Sequence, residues 1–245
     1  MILGGSGFIG RHLAAWLAWN GWAVRMVARS PQPPASPAPG GRVAPVAVDL
    51  RDEGQVQRAL SGAEAVVNLV GIAREQGQGF REVNVEAAAR VGRLAAAAGV
   101  ERLLHVSALG IAEDAPAAAD RTKALGEAAV RAAFPAATLV RPSLVYGPGD
   151  HFFRRFAALA AASPVLPVIG GGRTRFQPIH IADAVDTLHV LLERPATAGM
   201  TLALVEKHDT KARRAWRKLV WGSPCQAFIA GTPVRCVALR NAAER

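Results

Sequence analysis

An α/β fold on a doubly wound parallel sheet is what this 245-residue sequence predicts, and three features predict it. Short apolar runs alternate with helix-spaced segments along the first 200 residues. A glycine-rich turn stands between the first apolar run and the first helical segment, where a phosphate-binding loop would stand. No apolar run approaches the ~18 residues that a membrane-spanning helix needs.

The elements follow in order. Met1, Ile2 and Leu3 form a strand stub that runs straight into Gly4-Gly5-Ser6-Gly7-Phe8-Ile9-Gly10. Buried parallel strands usually run about five or six residues, so a stub this short reads as a strand cut by an incorrect start or a truncation. Apolar spacing predicts a helix from Phe8 to Trp19, which Asn20-Gly21 ends. Residues 23–28 read as a second strand. Residues 30–41 hold Pro31, Pro33, Pro34, Pro37 and Pro39 without periodicity and read as a mobile loop. A strand at 43–48, a short helix at 53–60 and a buried strand at 65–70 come next. A long alanine-rich helix at 80–98 leads to a strand at 102–107, a helix around Lys123 and a sixth strand at 137–141. Beyond that, a proline- and glycine-rich run at 163–175 precedes a short strand at 176–179 and a helix at 181–192. The expected sheet order is 3-2-1-4-5-6, with a small, incomplete C-terminal lobe.

Hydrophobic residues make up 51% and charged residues 20%, which excludes wholly disordered and collagen-like chains. Cys225 and Cys236 are too few for a disulfide framework or a four-ligand zinc site, and no metal site is expected. No secretory pattern opens the chain, so the expected compartment is the cytoplasm. The formal charge of +10 is unevenly spread: residues 201–245 carry nine of the 29 basic and three of the 19 acidic residues. The basicity therefore belongs mostly to one segment, and nucleic acid is not an expected partner.

The Gly4-x-x-Gly7-x-x-Gly10 turn carries the first functional reading. Glycine permits the tight turn and close approach to a pyrophosphate, and the following helix offers amides and a positive dipole end. Phe8, Ile9 and Arg11 belong to that first helical turn. The end of the second strand selects between cofactors: an acid there binds a ribose 2′-hydroxyl, whereas an arginine accommodates a 2′-phosphate. Ala28-Arg29 stands there, with Arg11 and Arg25 nearby and no acid, so NADP(H) is expected over NAD(H). Asp49 and Leu50, after the third strand, suit contact with adenine; Asn68 and Gly71, after the fourth, stand where a nicotinamide ribose would pass. Asp49 and Asn68 equally suit capping of the next element. Trp16, Trp19 and Trp22 read as cover for the sheet or its edge, or as a partner surface.

Together these stretches, with Ser107 after the fifth strand and Arg141-Pro142, resemble an extended or atypical short-chain dehydrogenase/reductase over about residues 1–200. The finer resemblance is to the branch of the mitochondrial complex I accessory subunit of 39 kDa type and its bacterial relatives. It is carried by the glycine turn with Arg11, by Val66 to Ile72, by His105-Val106-Ser107-Ala108-Leu109-Gly110 and by residues 170–178. The resemblance implies a Rossmann-type fold of the NAD-dependent epimerase/dehydratase kind. It also implies a Ser, Tyr, Lys set in which tyrosine moves the proton and lysine lowers its pKa. Ser107 and Lys123 fit that set as catalytic positions, and Lys123 also as a cofactor contact. Four residues before Lys123 stands Ala119 instead of tyrosine. Tyr146, the chain's one tyrosine, falls where the resemblance implies a cleft border and no proton donor.

The expected function is therefore NADP(H) binding with weak or no catalysis, as in an accessory subunit of a membrane-associated respiratory complex, peripheral at the inner face of its membrane. Two alternatives remain: an active NADP-dependent reductase or epimerase on a nucleotide-sugar or isoprenoid-like substrate, and an NADPH-responsive regulatory binding protein. Residues 1–204 are expected to form the nucleotide-binding domain with part of the substrate lobe. Residues 205–245 form an anomalous basic tail whose lysine and cysteine bias fits out-of-frame translation, with a native basic arm as the alternative.

Overall fold

The computed structural model describes residues 1–36, 42–75, 77–150, 152 and 177–205. Seven parallel strands form one sheet in the order β3-β2-β1-β4-β5-β6-β9. They are β1 (Ile2–Leu3), β2 (Val24–Ala28), β3 (Val43–Ala47), β4 (Ala65–Asn68), β5 (Arg102–Val106), β6 (Thr138–Pro142) and β9 (Thr201–Leu204). Although only two residues long, β1 is fully buried at the centre of this order, pairing Leu3 with Val27 on one side and Asn68 on the other. The reversal of strand order next to β1 leaves a crevice at the carboxyl ends of the strands, where ligands of open α/β sheets bind.

Five helices are described: α1 (Phe8–Trp19), α2 (Glu53–Leu60), α3 (Ala87–Ala97), α4 (Ala118–Ala133) and α5 (Ile181–Glu193). Strand side chains alternate between faces, and each face has its own layer. Leu3, Val27, Val66, Leu103 and Leu139 form a core with Val56 and Leu60 of α2, Val91 and Leu94 of α3, and Val130 of α4. Ile2, Met26, Val67, Leu104 and Val140 alternate with these along the same strands and are equally buried. α1 packs against α5, tied by the Trp22 indole, which donates to His189 Nε2 at 3.2 Å. Trp22 therefore covers a helix–helix seam, while Trp19 is 64% exposed.

Local chemistry sets the helix ends. Gly21 takes φ +90° just after α1, the left-handed geometry that stops a helix. The Asp52 carboxylate caps α2 by accepting from the Gln55 amide at 2.9 Å. Arg25, within β2, donates to the carbonyls of Ala59 and Ser61 at the other end of α2.

Three sequence expectations change. The sheet gains β9 beside β6, held in register Leu139 with Thr201 through Pro142 with Leu204; its four residues carry too short a pattern to read alone. The long helix expected at 80–98 begins with a π turn, Glu82–Glu86, before α3. The loop after β2 is pinned over its first half: Ser6 Oγ donates to the Ser30 carbonyl, and Arg11 Nε donates to the Pro33 carbonyl. Its residues 37–41 lie outside the described ones.

The described residues among 143–180 belong to a second unit. In it β7 (Val145–Tyr146) and β8 (Ile179–His180) pair in parallel, and the rings of Tyr146 and His180 meet edge to face at 5.2 Å. The stretch 170–176 and nearly all of the basic tail lie outside the described residues.

Candidate dinucleotide-binding site

Space alone dictates most of the glycine turn. Gly4 has φ +75°, and a Cβ on Gly10 would lie 2.6 Å from the Gly4 carbonyl oxygen and 2.7 Å from Gly5 Cα. The Gly7 amide donates to the Gly4 carbonyl at 3.0 Å, and the Gly5 amide donates to Val27 at 2.9 Å. The result is a tight turn locked onto β2. No side chain caps α1 after it, so the first-turn amides around Phe8, Ile9 and Gly10 are left for an anionic ligand.

A cleft of about 280 Å³ opens along the carboxyl ends of β1 to β4, close to the lower size of small-ligand pockets. Gly4, Ser6 and Gly7 form its middle, Arg29, Asp49 and Leu50 one end, and Leu69, Val70 and Gly71 the other. Arg29 is exposed, and its guanidinium has no hydrogen bond among the described residues. Asp49 is already engaged: Arg51 Nε lies 3.0 Å from both carboxylate oxygens, and the Arg51 amide also donates to it. These bonds hold the Asp49 carboxyl at about 2, below its ordinary 3.8. Arg11 does not line the cleft; its side chain holds the loop after β2.

The other end is organised by buried polar groups. Asn68 is 1% exposed; its Nδ2 donates to His105 Nδ1 at 3.1 Å and its Oδ1 accepts from the Val70 amide. That pattern makes Nδ1 the acceptor and places the imidazole proton on Nε2. Burial pushes His105 down to about 4 from 6.5, so it is neutral at physiological pH. Asn68 thus fixes the backbone of the cleft wall and does not line it.

Ser107 follows β5, its amide bonded to the Val140 carbonyl at 2.8 Å. Its Oγ is buried with no hydrogen-bond partner among the described residues, a condition that a ligand relieves. Lys123 is half-buried on α4, and burial lowers its ammonium while Asp120 pulls it upward. One turn earlier, Ala119 contributes only a methyl group there; its carbonyl accepts from Thr122 Oγ1 at 3.1 Å.

Asn84 is the residue that sequence reading missed. It sits in the π turn, 3% exposed. It accepts from the Ile72 amide at 2.8 Å and donates to the Ile72 carbonyl and to Thr122 Oγ1. It joins the loop after β4 to the Lys123 helix. Two signals were available: an asparagine between valines in an apolar helix, and Gly126 in mid-helix. A Cβ on Gly126 would lie 2.0 Å from the Asn84 carbonyl oxygen. π turns of this kind occur frequently at functional sites.

The strand order, the crevice and the glycine turn together define a nucleotide-binding protein of the doubly wound class. The chain belongs to the NAD dependent epimerase/dehydratase family, whose sequence pattern matches residues 1–202. Membership of that family supports nicotinamide dinucleotide binding by this chain. The chain is similar to ceramide reductase of Caulobacter vibrioides, 35% identical over 241 residues, covering 97% of this chain and 72% of that protein. It is also similar to NADH dehydrogenase [ubiquinone] 1 alpha subcomplex subunit 9 of Dictyostelium discoideum, 32% identical over 203 residues, covering 81% of this chain and 56% of that protein. It therefore spans about half the length of its complex I relatives. Among solved structures, MoeE5 in complex with UDP-glucuronic acid and NAD superimposes with a TM-score of 0.70 at 22% identity, covering 90% of this chain and 81% of that one. That likeness is one of fold. No described helix is long and apolar enough to cross a membrane, and the described residues hold no cluster of three metal-ligating side chains.

Proposed function

We propose that this protein binds NADP(H) and turns it over weakly or not at all, as a peripheral component of a membrane-associated respiratory complex. Ala119 carries the proposal. When bound, the dinucleotide supplies hydride chemistry; the chain must supply the proton, and a methyl group cannot. General acid–base groups contribute ~10²–10⁴-fold to a rate, so their loss leaves a binding site without an efficient reaction. The residues that remain suit binding: Lys123 for the ribose hydroxyls, Ser107 for a ring or ligand oxygen, and the turn amides for the pyrophosphate. Arg29, exposed at the end of β2 with no hydrogen bond among the described residues, favours a 2′-phosphate, while the nearby Asp49 carboxylate is engaged by Arg51. The likeness to complex I subunits supports the choice of partner.

Native mass spectrometry of the purified protein tests this, with NADP(H) the expected bound species. In titrations NADPH should bind at least about tenfold more tightly than NADH, the value of one charge-assisted hydrogen bond. Equal affinities would remove the cofactor assignment, and robust NADPH oxidation with carbonyl or sugar-nucleotide substrates would remove the weak-turnover assignment.

The ceramide reductase match favours a second reading, reduction of a carbonyl on a long-chain lipid. Lys123 would then be the proton source, because burial eases release of its proton. NADPH consumption with a long-chain keto lipid, abolished by Lys123→Met, distinguishes this reading from the first.

A further inference from the structure

We propose that Ser6 and Arg11 set the preference for a 2′-phosphorylated adenosine without touching the phosphate, by pinning the segment after β2 so that Arg29 is held at the adenosine end of the cleft. This inference rests on the NADP(H) reading above and goes beyond it.

Arg29 lies between two anchors. Upstream, the Gly5 amide donates to the Val27 carbonyl at 2.9 Å and the Val48 amide to the Ala28 carbonyl at 3.0 Å. Downstream, Ser6 Oγ donates to the Ser30 carbonyl at 3.0 Å and accepts from the Gln32 amide at 2.9 Å. Arg11 adds a second clamp: its Nε donates to the Pro33 carbonyl at 2.8 Å, and its own carbonyl accepts from the Ala35 amide at 3.0 Å. Four hydrogen bonds thus tie residues 30–35 to the glycine turn and the first turn of α1. The tied segment contains three prolines, Pro31, Pro33 and Pro34, which cannot donate backbone bonds of their own. Its order therefore depends on these outside partners.

The guanidinium of Arg29 is left unpaired among the described residues, and it lines the cleft together with Ser6. A cation held by ordered backbone on both sides binds its anion without first losing conformational freedom. If the downstream anchor is cut, that ordering cost falls on the nucleotide that uses Arg29. NADPH uses it; NADH, which lacks the 2′-phosphate, does not. Arg11 sharpens the argument because it does not line the cleft, so its effect on NADPH must travel through residues 33–35.

The test is to titrate the full chain with NADPH and with NADH, and to do the same for Ser6→Ala, Ser6→Thr, Arg11→Met and Arg29→Ala. Melting without nucleotide confirms that each variant is folded. Arg29→Ala should collapse the preference. Arg11→Met should weaken NADPH by about 5–10-fold while leaving NADH within about two-fold, Ser6→Ala should weaken NADPH about 5–10-fold more than it weakens NADH, and Ser6→Thr, which keeps the hydroxyl, should retain the native ratio. If Arg29→Ala matters and the two clamp variants leave the ratio unchanged, or weaken both nucleotides equally, the clamp is overturned and the cofactor reading stands. If Arg29→Ala has no effect, the cofactor reading itself falls and the clamp with it.

Discussion

The two halves of the sheet have kept different things. On the β1–β3 side, polar groups are spent on order: the glycine turn bonds to β2, Ser6 and Arg11 hold the following loop, and Arg25 closes the end of α2. On the β4–β6 side the frame is as firmly made, through Asn68 with His105 and Asn84 with Ile72 and Thr122. Among the described residues Ser107 Oγ has no partner there, and Ala119 offers only a methyl group. The glycine turn lies wholly in the first half, whereas Ser107, Lys123 and Ala119 lie in the second, so position 119 can change without touching the turn.

The largest test of that contrast restores the missing group. Ala119→Tyr places a phenol one helical turn from Lys123, whose side chain is half-buried. If the β4–β6 half lacks only this group, residual NADPH oxidation with an acceptable carbonyl substrate should rise by ~10²–10⁴-fold, while NADPH affinity changes little. A variant that binds NADPH normally and gains no rate would show that the site has drifted beyond this one position.

Next in size is the frame of the same half. Arg141 Nε and Nη2 grip Glu127 at 2.6–3.2 Å, and the Glu127 side chain is 5% exposed. Arg141→Ala would strand a buried carboxylate between α4 and β6, at a cost of about 3–5 kcal/mol in urea unfolding. Glu127→Leu with Arg141→Met should recover most of that loss. A single-variant cost below about 1 kcal/mol would mean that water reaches the pair.

A pH effect of somewhat smaller size sits behind the cleft wall. His105 titrates at about 4 in the fold against 6.5 when free. The unfolded chain therefore takes up a proton across this window before the folded one does. The stability this contributes is fully present above 6.5 and is lost as pH falls towards 4, by up to about 3 kcal/mol. His105→Gln keeps an acceptor for Asn68 and removes the titration, so its stability should fall less between pH 7 and pH 5. Parallel curves for the two proteins would place the acid sensitivity elsewhere.

Reading the sequence succeeded where structure is local. Phe8 to Trp19 spells out α1 by spacing and Asn20-Gly21 ends it, and the short helix read at 53–60 is α2. The glycine turn was legible because its reason is steric and contained within seven residues. What stayed hidden was non-local. Arg11 lies 22 residues from the carbonyl it binds, and Arg25 34 residues from the first of its two, so both read as phosphate ligands when judged by neighbourhood alone. The strand β9 shows itself only through β6, and the π turn only through the contacts of Asn84.

The smallest expected effect comes from the basic tail. Every described residue that lines the cleft falls between Gly4 and Ala87, and the last described strand of the sheet closes with Leu204, 8% exposed. Ending the chain after Leu204 should therefore leave NADPH affinity within about two-fold, as for changes remote from packed or bonded groups. Two observations pull in opposite directions here. Composition sets the tail apart, since nine of its 41 residues from 205 onward are basic and both cysteines fall there. The match to ceramide reductase, covering 97% of the chain, runs past residue 205 into it. A truncated protein with native NADPH affinity but weakened turnover on a lipid carbonyl would assign the tail to the substrate side. A tenfold loss of NADPH affinity would instead make the tail part of the nucleotide site, and the separation of the two halves would need a third member.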